Sequence, residues 1–325
     1  MVTRRGLWRW LIGAAVAAVG LYVAAGTFAV HQMIERLLQV PTRAEIAASE
    51  PPTMDPTVIG YRGDPMTALG LPFADMALNT GHGTAPAWLI PAEGEVKGRT
   101  WAIYVHGISG RRENGYCYVS ALHEAGFPVL LMSYRNDEGA PPSPQGKYGY
   151  GSYEWQELVF AVDYVRQAGA SDVLLIGDSV GGAIIGQFFV HSDRGWGISA
   201  VILDSPALDF AARVNNALTP FNLPLTPLFT ALAQRTIALQ YGIDIADAAV
   251  IRELAAFPGP LLVIHGTGDG VIPVAISDRL VARRVGITSM LRTASDHLTT
   301  RKDHPALFDA TLRAFLASLK TEAPR

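Results

Sequence analysis

The chain has 325 residues, 49% of them apolar and 17% charged, with a net charge of −3 and a positive mean hydropathy. So apolar a composition excludes an intrinsically disordered chain, and the near-neutral balance excludes the basic stripe that nucleic-acid binders carry. Its one cysteine, Cys117, excludes an internal disulfide framework and a Cys-rich zinc site.

The first predicted element is a long apolar helix. Residues 10–30 run for 21 positions without a charge, and at about 1.5 Å per residue they match the ~30 Å hydrocarbon core of a bilayer. Arg4, Arg5 and Arg9 flank the run, while Trp8, Trp10 and Tyr22 offer aromatic rings for the interfaces. Helix formers continue to about Gln39, so residues 1–39 are expected to form a single-pass transmembrane anchor. Positive charge ahead of the run favours a cytoplasmic N-terminus and an extracytoplasmic body. Two other readings stay open. One is a signal peptide cleaved near Thr27 and Ala29, leaving a secreted protein; the other is a twin-arginine export address in residues 3–9. Length argues for the uncleaved anchor, because the apolar core of a signal peptide spans only about 7–15 residues.

Residues 40–57 hold four prolines and no apolar period, and read as a linker. The body, residues 58–320, alternates short apolar runs with helical patterns, which predicts βαβ units and a mostly parallel sheet. Residues 76–79 and 85–90 form an expected antiparallel hairpin across a Gly-rich turn. Further strands are expected at 100–105, 128–133, 172–176, 200–203, 260–264 and 288–292, apolar enough to be buried on both faces. The firmest helices are 153–168, 180–190 and 305–319, the first ending at a C-cap glycine, Gly169. Residues 208–249 break the alternation and read as an inserted helical cap over one end of the sheet.

The strongest chemical signal is Gly177-Asp178-Ser179-Val180-Gly181, between a strand and a helix. A serine hydroxyl attacks a carbonyl only when a base removes its proton, and a G-x-S-x-G turn presents such a serine on a sharp bend. Its glycines allow strand and helix backbones to pass closely. The bland alternative is an ordinary N-cap serine. Upstream, His106-Gly107-Ile108-Ser109-Gly110 follows a strand where a loop can offer a backbone N–H to a substrate oxygen; Ile108 and Val180 are the expected oxyanion donors. His106 itself reads as a structural histidine. Downstream, Asp269 lies on a strand-end loop, His265-Gly-Thr-Gly-Asp269, where a carboxylate can orient an imidazole; Asp204 is its competitor. His297, just after the final strand, is the expected general base. His31, His82, His123, His191 and His304 fall on the anchor, the hairpin, two helices and the start of the last helix. The order Ser179, Asp269, His297 is the one this strand–turn–helix scaffold uses. Cys117 reads as a small buried hydrophobe.

These motifs together resemble the α/β-hydrolase fold serine hydrolases over residues 70–320, and among them the Bem46-like and serine-aminopeptidase-like hydrolases. The likeness rests on HGISG, the Ser133–Asp137 segment with its Tyr134-Arg135 pair, GDSVG, HGTGDGVIP and the late His297. It departs at Asn136, where a glycine is usual, and at Asp178 and Val180, where bulkier residues are common. The resemblance implies an α/β fold: a mostly parallel twisted sheet with helices on both faces, a cap insertion and, here, a preceding transmembrane helix. It also implies acyl transfer to water through Ser179, His297 and Asp269. Serine at 179 disfavours the dehalogenase and epoxide hydrolase chemistries that use aspartate there. No metal constellation or phosphate loop is present, and no cofactor is expected.

The expected activity is carboxylic ester hydrolysis on a small-molecule acyl substrate, with a cap rich in Leu, Phe, Ala and Pro pointing to a lipid-like one. A peptidase, amidase, thioesterase or acyltransferase on the same residues stays open, as does a membrane-anchored binding protein without turnover. No nucleic-acid partner is expected, and the sequence carries no signal for oligomeric state.

Overall fold

A computed structural model describes residues 4–49, 52–94, 98–192, 197–246 and 249–321. Its strands are β1 Ala74–Asn79, β2 Thr84–Ile90, β3 Thr100–Val105, β4 Val129–Met132, β5 Asp172–Asp178, β6 Ile198–Asp204, β7 Leu261–Gly266 and β8 Thr288–Thr293. They form one sheet in the order β1-β2-β4-β3-β5-β6-β7-β8. The β1–β2 hairpin is antiparallel and β2 pairs antiparallel with β4; from β4 to β8 every pairing is parallel.

The helices are α1 Arg4–Leu37, α2 Arg43–Ser49, α3 Pro65–Leu69, α4 Tyr116–Glu124, α5 Trp155–Gln167, α6 Val180–His191, α7 Phe210–Leu218 and α8 Thr226–Tyr241. After them come α9 Ile251–Ala256, α10 Ala275–Arg283, α11 Thr300–Asp303 and α12 Pro305–Thr321. Because side chains alternate along a strand, each central strand feeds two cores. Ile103, Val105, Val173, Leu175, Leu261 and Val263 join the core under α5, α6, α9 and α10. Ala102, Tyr104, Leu174, Ile176, Leu262 and Ile264 join the core under α4 and α12. This two-sided burial is why the strands are apolar at nearly every position.

Between β6 and α9 the chain makes its helical excursion, α7 and α8, at the place where strand–helix alternation fails. Helix α8 packs along α1, with Phe229 edge-on to Tyr22 at a centroid distance of 5.3 Å. The region read as anchor and linker is more closely tied to the body than its composition suggests. Helix α1 is long and apolar enough to cross a bilayer, and none of its most apolar stretch is buried. Its last turns, however, place Val30, Ile34 and Leu38 in the first core. The following segment contains α2, started by a reciprocal cap in which Thr42 N–H donates to Glu45 Oε2 at 2.7 Å and Glu45 N–H to Thr42 Oγ1 at 3.3 Å. The prolines hide this T-x-x-E signal in the sequence.

Candidate active site

The parallel strands β5, β6, β7 and β8 end on one edge, and the loops leaving them carry the polar groups. Ser179 sits alone between β5 and α6 with φ 49° and ψ −115°. A non-glycine residue with such a backbone stores about 1–3 kcal/mol and persists only where its surroundings hold it. Here Ser179 N–H donates to Asp204 O at 2.9 Å, and Ser179 O accepts from Ala207 N–H at 2.9 Å. The flanking glycines are required sterically. A Cβ on Gly181 would stand 2.1 Å from Val105 O, and one on Gly177 would stand 2.8 Å from the Gly181 carbonyl carbon.

The loop after β8 brings His297 to Ser179. His297 Nε2 lies 3.1 Å from Ser179 Oγ, and Nδ1 lies 2.7 Å from Asp269 Oδ2. Asp269, on the loop after β7, is fully engaged. Its Oδ1 accepts from Val271 N–H at 2.8 Å and Ile272 N–H at 2.7 Å, and its Oδ2 also accepts from His265 Nε2–H at 3.1 Å. Burial opposes ionisation, but the hydrogen bonds from His265 and His297 prevail and hold Asp269 well below the usual carboxylate range. An ionised Asp269 assigns the Nδ1 proton of His297 and leaves Nε2 free to accept from the serine hydroxyl. His265 was not singled out in the sequence. Its Nε2 faces two acceptors, Asp269 Oδ2 and Ile272 O at 3.0 Å, so Nε2 carries the proton and Nδ1 accepts from Ser277 Oγ at 2.7 Å. The i, i+4 spacing of His265 and Asp269 across a Gly-rich turn was the available signal.

Asp204, the competing acid, points elsewhere. Its carboxylate accepts from Tyr118 Oη at 3.3 Å and Ser205 Oγ at 3.2 Å. Beside it, Asp178 accepts from Tyr104 Oη and Tyr118 Oη, both at 2.7 Å. Burial pushes both carboxyls above their ordinary values, so the pair is a poor source of negative charge for an imidazole.

On the other side of Ser179 runs the loop 106–110. A Cβ on Gly107 would meet Ser179 Cβ at 3.0 Å, so any larger residue would push the loop and Ser179 apart by a few tenths of an ångström. The N–H groups of Ile108 and Val180 find no acceptor among the described residues. The loop is braced from behind. Tyr134 Oη donates to Gly107 O at 2.9 Å, and the Tyr134 ring stacks on His106 at 4.3 Å. His106 is buried with both nitrogens facing acceptors, Asp137 Oδ2 and Gly107 O, each at 2.8 Å. Burial opposes its charge, but the Asp137 carboxylate raises its pKa. Arg135 makes a buried two-pronged pair with Glu157 at 2.7 and 3.0 Å, tying the same segment to α5. His31, His82 and His191 contact Thr236, Gln156 and Trp155, away from Ser179. Cys117 is a free thiol whose Sγ–H donates to Asn114 O at 3.5 Å, and burial pushes its pKa up.

This architecture is the α/β-hydrolase fold, as solved structures of similar shape show. An esterase of Pyrococcus furiosus matches with a TM-score of 0.62 at 18% identity, covering 81% of this chain and 96% of its own. Est1E of Butyrivibrio proteoclasticus, solved with ferulic acid, matches with a TM-score of 0.58 at 18% identity, covering 76% and 99%. A membrane phospholipase A described as a bacterial virulence factor matches at 0.53 and 18% identity, and its alignment covers 98% of this chain and 99% of its own. Among curated sequences, the uncharacterised protein YfhR of Salmonella typhimurium is 28% identical over 194 residues, or 55% of this chain and 58% of its own. Rv2307c of Mycobacterium tuberculosis is 29% identical over 181 residues, or 54% and 55%. The chain thus spans a little over half the length of these relatives, and no family model matches it.

Proposed function

We propose that the chain is a serine hydrolase that cleaves a carboxylic ester through an acyl-enzyme. The observation that carries this reading is the unbroken line from Ser179 Oγ to His297 at 3.1 Å and from His297 to the ionised Asp269 at 2.7 Å. In the first step His297 Nε2 takes the Ser179 proton as Oγ attacks the substrate carbonyl, and the Ile108 and Val180 N–H groups receive the oxyanion. His297 then gives the proton to the departing alcohol. A water, deprotonated by the same nitrogen, releases the acid and restores Ser179. Asp269 stays ionised throughout and stabilises the transient imidazolium, and His265 keeps Asp269 in place. Each oxyanion donor supplies about 3–4 kcal/mol of transition-state stabilisation.

The ester assignment is supported by the fold shared with esterases and a membrane phospholipase A. A lipid-like ester is supported by the apolar cap packed on α1. We read α1 as an uncleaved single-pass anchor with its N-terminus in the cytoplasm and the hydrolase body outside. Cleavage after Ala29 would remove Tyr22, whose hydroxyl donates to Pro224 O at 3.0 Å, from its place on the cap. Turnover of a p-nitrophenyl ester series tests the mechanism. Ser179→Ala and His297→Ala are each expected to lower kcat by about 10⁴–10⁶-fold, with little further loss in the double variant. Equal turnover by wild type and Ser179→Ala would overturn it.

A further inference from the structure

Twenty-one residues separate Arg213 from Arg235, and none of them is charged. A second run of this length lies in the body of a chain whose first is residues 10–30, within α1. Its middle forms the tip of the cap, a turn of 3₁₀ helix over Thr219–Phe221 leading into α8. The tip exposes Phe221 at 67%, together with Leu223, Leu225 and Leu228. Clustered exposed side chains of this kind mark an interaction surface.

Contacts with α1 set the level of this tip. Helix α8 runs parallel to α1: Phe229 meets Tyr22, Thr236 meets His31 at 2.7 Å, and Tyr241 donates to Glu35. Tyr22 also holds the tip directly through Pro224 O. Tyr22 lies inside the charge-free span 10–30, eight residues before its end, which is about 12 Å along a helix axis. A bilayer that covers residues 10–30 therefore reaches the tip as well.

From this placement we infer that residues 219–228 are immersed in the leaflet that α1 crosses on its way to the body, so that the cap docks the hydrolase on a phospholipid surface. The inference rests on reading α1 as a membrane anchor. The tip's backbone is partly paired within itself, which lowers the cost of placing it in hydrocarbon. Pro220, Pro224 and Pro227 bring no N–H. Thr226 Oγ1 donates to Leu223 O at 2.7 Å, Asn222 N–H to Thr219 O at 3.1 Å and Leu228 N–H to Leu225 O at 2.9 Å. Between α1 and α8 lies a groove of about 720 Å³ whose walls run from Gly20, Val23 and Phe28 at one end to His31 and Arg235 at the other. That gradient follows a leaflet from acyl chain to headgroup. Arg235 is exposed and has no ion-pair partner among the described residues, as suits a contact with lipid phosphate.

Spin labels read the depth directly. The full chain, in a Cys117→Ala background, is reconstituted in phosphatidylcholine–phosphatidylglycerol nanodiscs with one label each from Val19→Cys, Leu223→Cys, Leu228→Cys or Val285→Cys. Collision with oxygen is compared with collision with a water-soluble nickel chelate. Labels at 19, 223 and 228 are expected to favour oxygen severalfold over the label at 285, which replaces a 99% exposed residue. Oxygen preference at 19 with nickel preference at 223 and 228 overturns the immersed tip and leaves the anchor standing. Nickel preference at 19 overturns the anchor reading, and the docking with it.

Discussion

Ser179 shows how much of a site one residue's backbone can decide. Its positive φ aims the hydroxyl away from both strand and helix, toward the loops that carry His297 and residues 106–110. That requirement was legible as small residues two positions to either side. The choice between Asp269 and Asp204 was legible only in part, because both follow strands; Tyr118 and Ser205 engage Asp204, and the sequence gives no sign of that. His265 escaped notice because a histidine at a strand end has many bland uses, and its partner Ser277 lies on a separate helix. It is a positioning residue for Asp269. Removing it with His265→Leu takes away a hydrogen bond that holds the Asp269 pKa down, while the burial that pushes it up remains. The folded-state pKa of Asp269 then moves up, so protonation of Asp269, and the loss of activity with it, begins at higher pH as the solution is acidified. The pH–rate profile should show its acidic limb displaced upward and kcat lowered about tenfold at neutral pH. His265→Gln, which restores an N–H donor, should bring the limb back; an unmoved limb in both variants would remove His265 from this role.

Among elements, the β5–α6 junction carries the closest tolerance. Helix α6 crosses β3 so tightly that Gly181 abuts the Val105 carbonyl. Gly181→Ala is therefore expected to destabilise by more than about 3 kcal/mol, beyond the usual 1–3 kcal/mol of overpacking, because backbone rather than a side chain must yield. A melting temperature within 2 °C of wild type would contradict the close approach. The strands and the cap were readable because apolar runs and their interruption at 208–249 are local signals. The role of α1 was not. Val30, Ile34 and Leu38 belong to the core, yet they continue the same apolar helix that is long enough to cross a membrane, and no local pattern separates the two parts. Helix α2 was hidden among prolines for a similar reason, its capping pair being only two residues, Thr42 and Glu45.

At the scale of the whole molecule, the strand-end loops and the braced loop converge on Ser179 from different parts of the chain. Residues 106, 134 and 137 meet behind the loop that flanks it, and 269 and 297 meet in front. The fold class was legible end to end, whereas the meeting of these groups depends on strand order, which the sequence does not state. The account stands on Ser179 being a nucleophile activated by His297. Labelling with a fluorophosphonate, followed by peptide mass analysis, tests this most directly. A single adduct on Ser179, absent from Ser179→Ala and strongly slowed in His297→Ala, is the predicted result; an adduct on another residue, or equal labelling of Ser179→Ala, would contradict it.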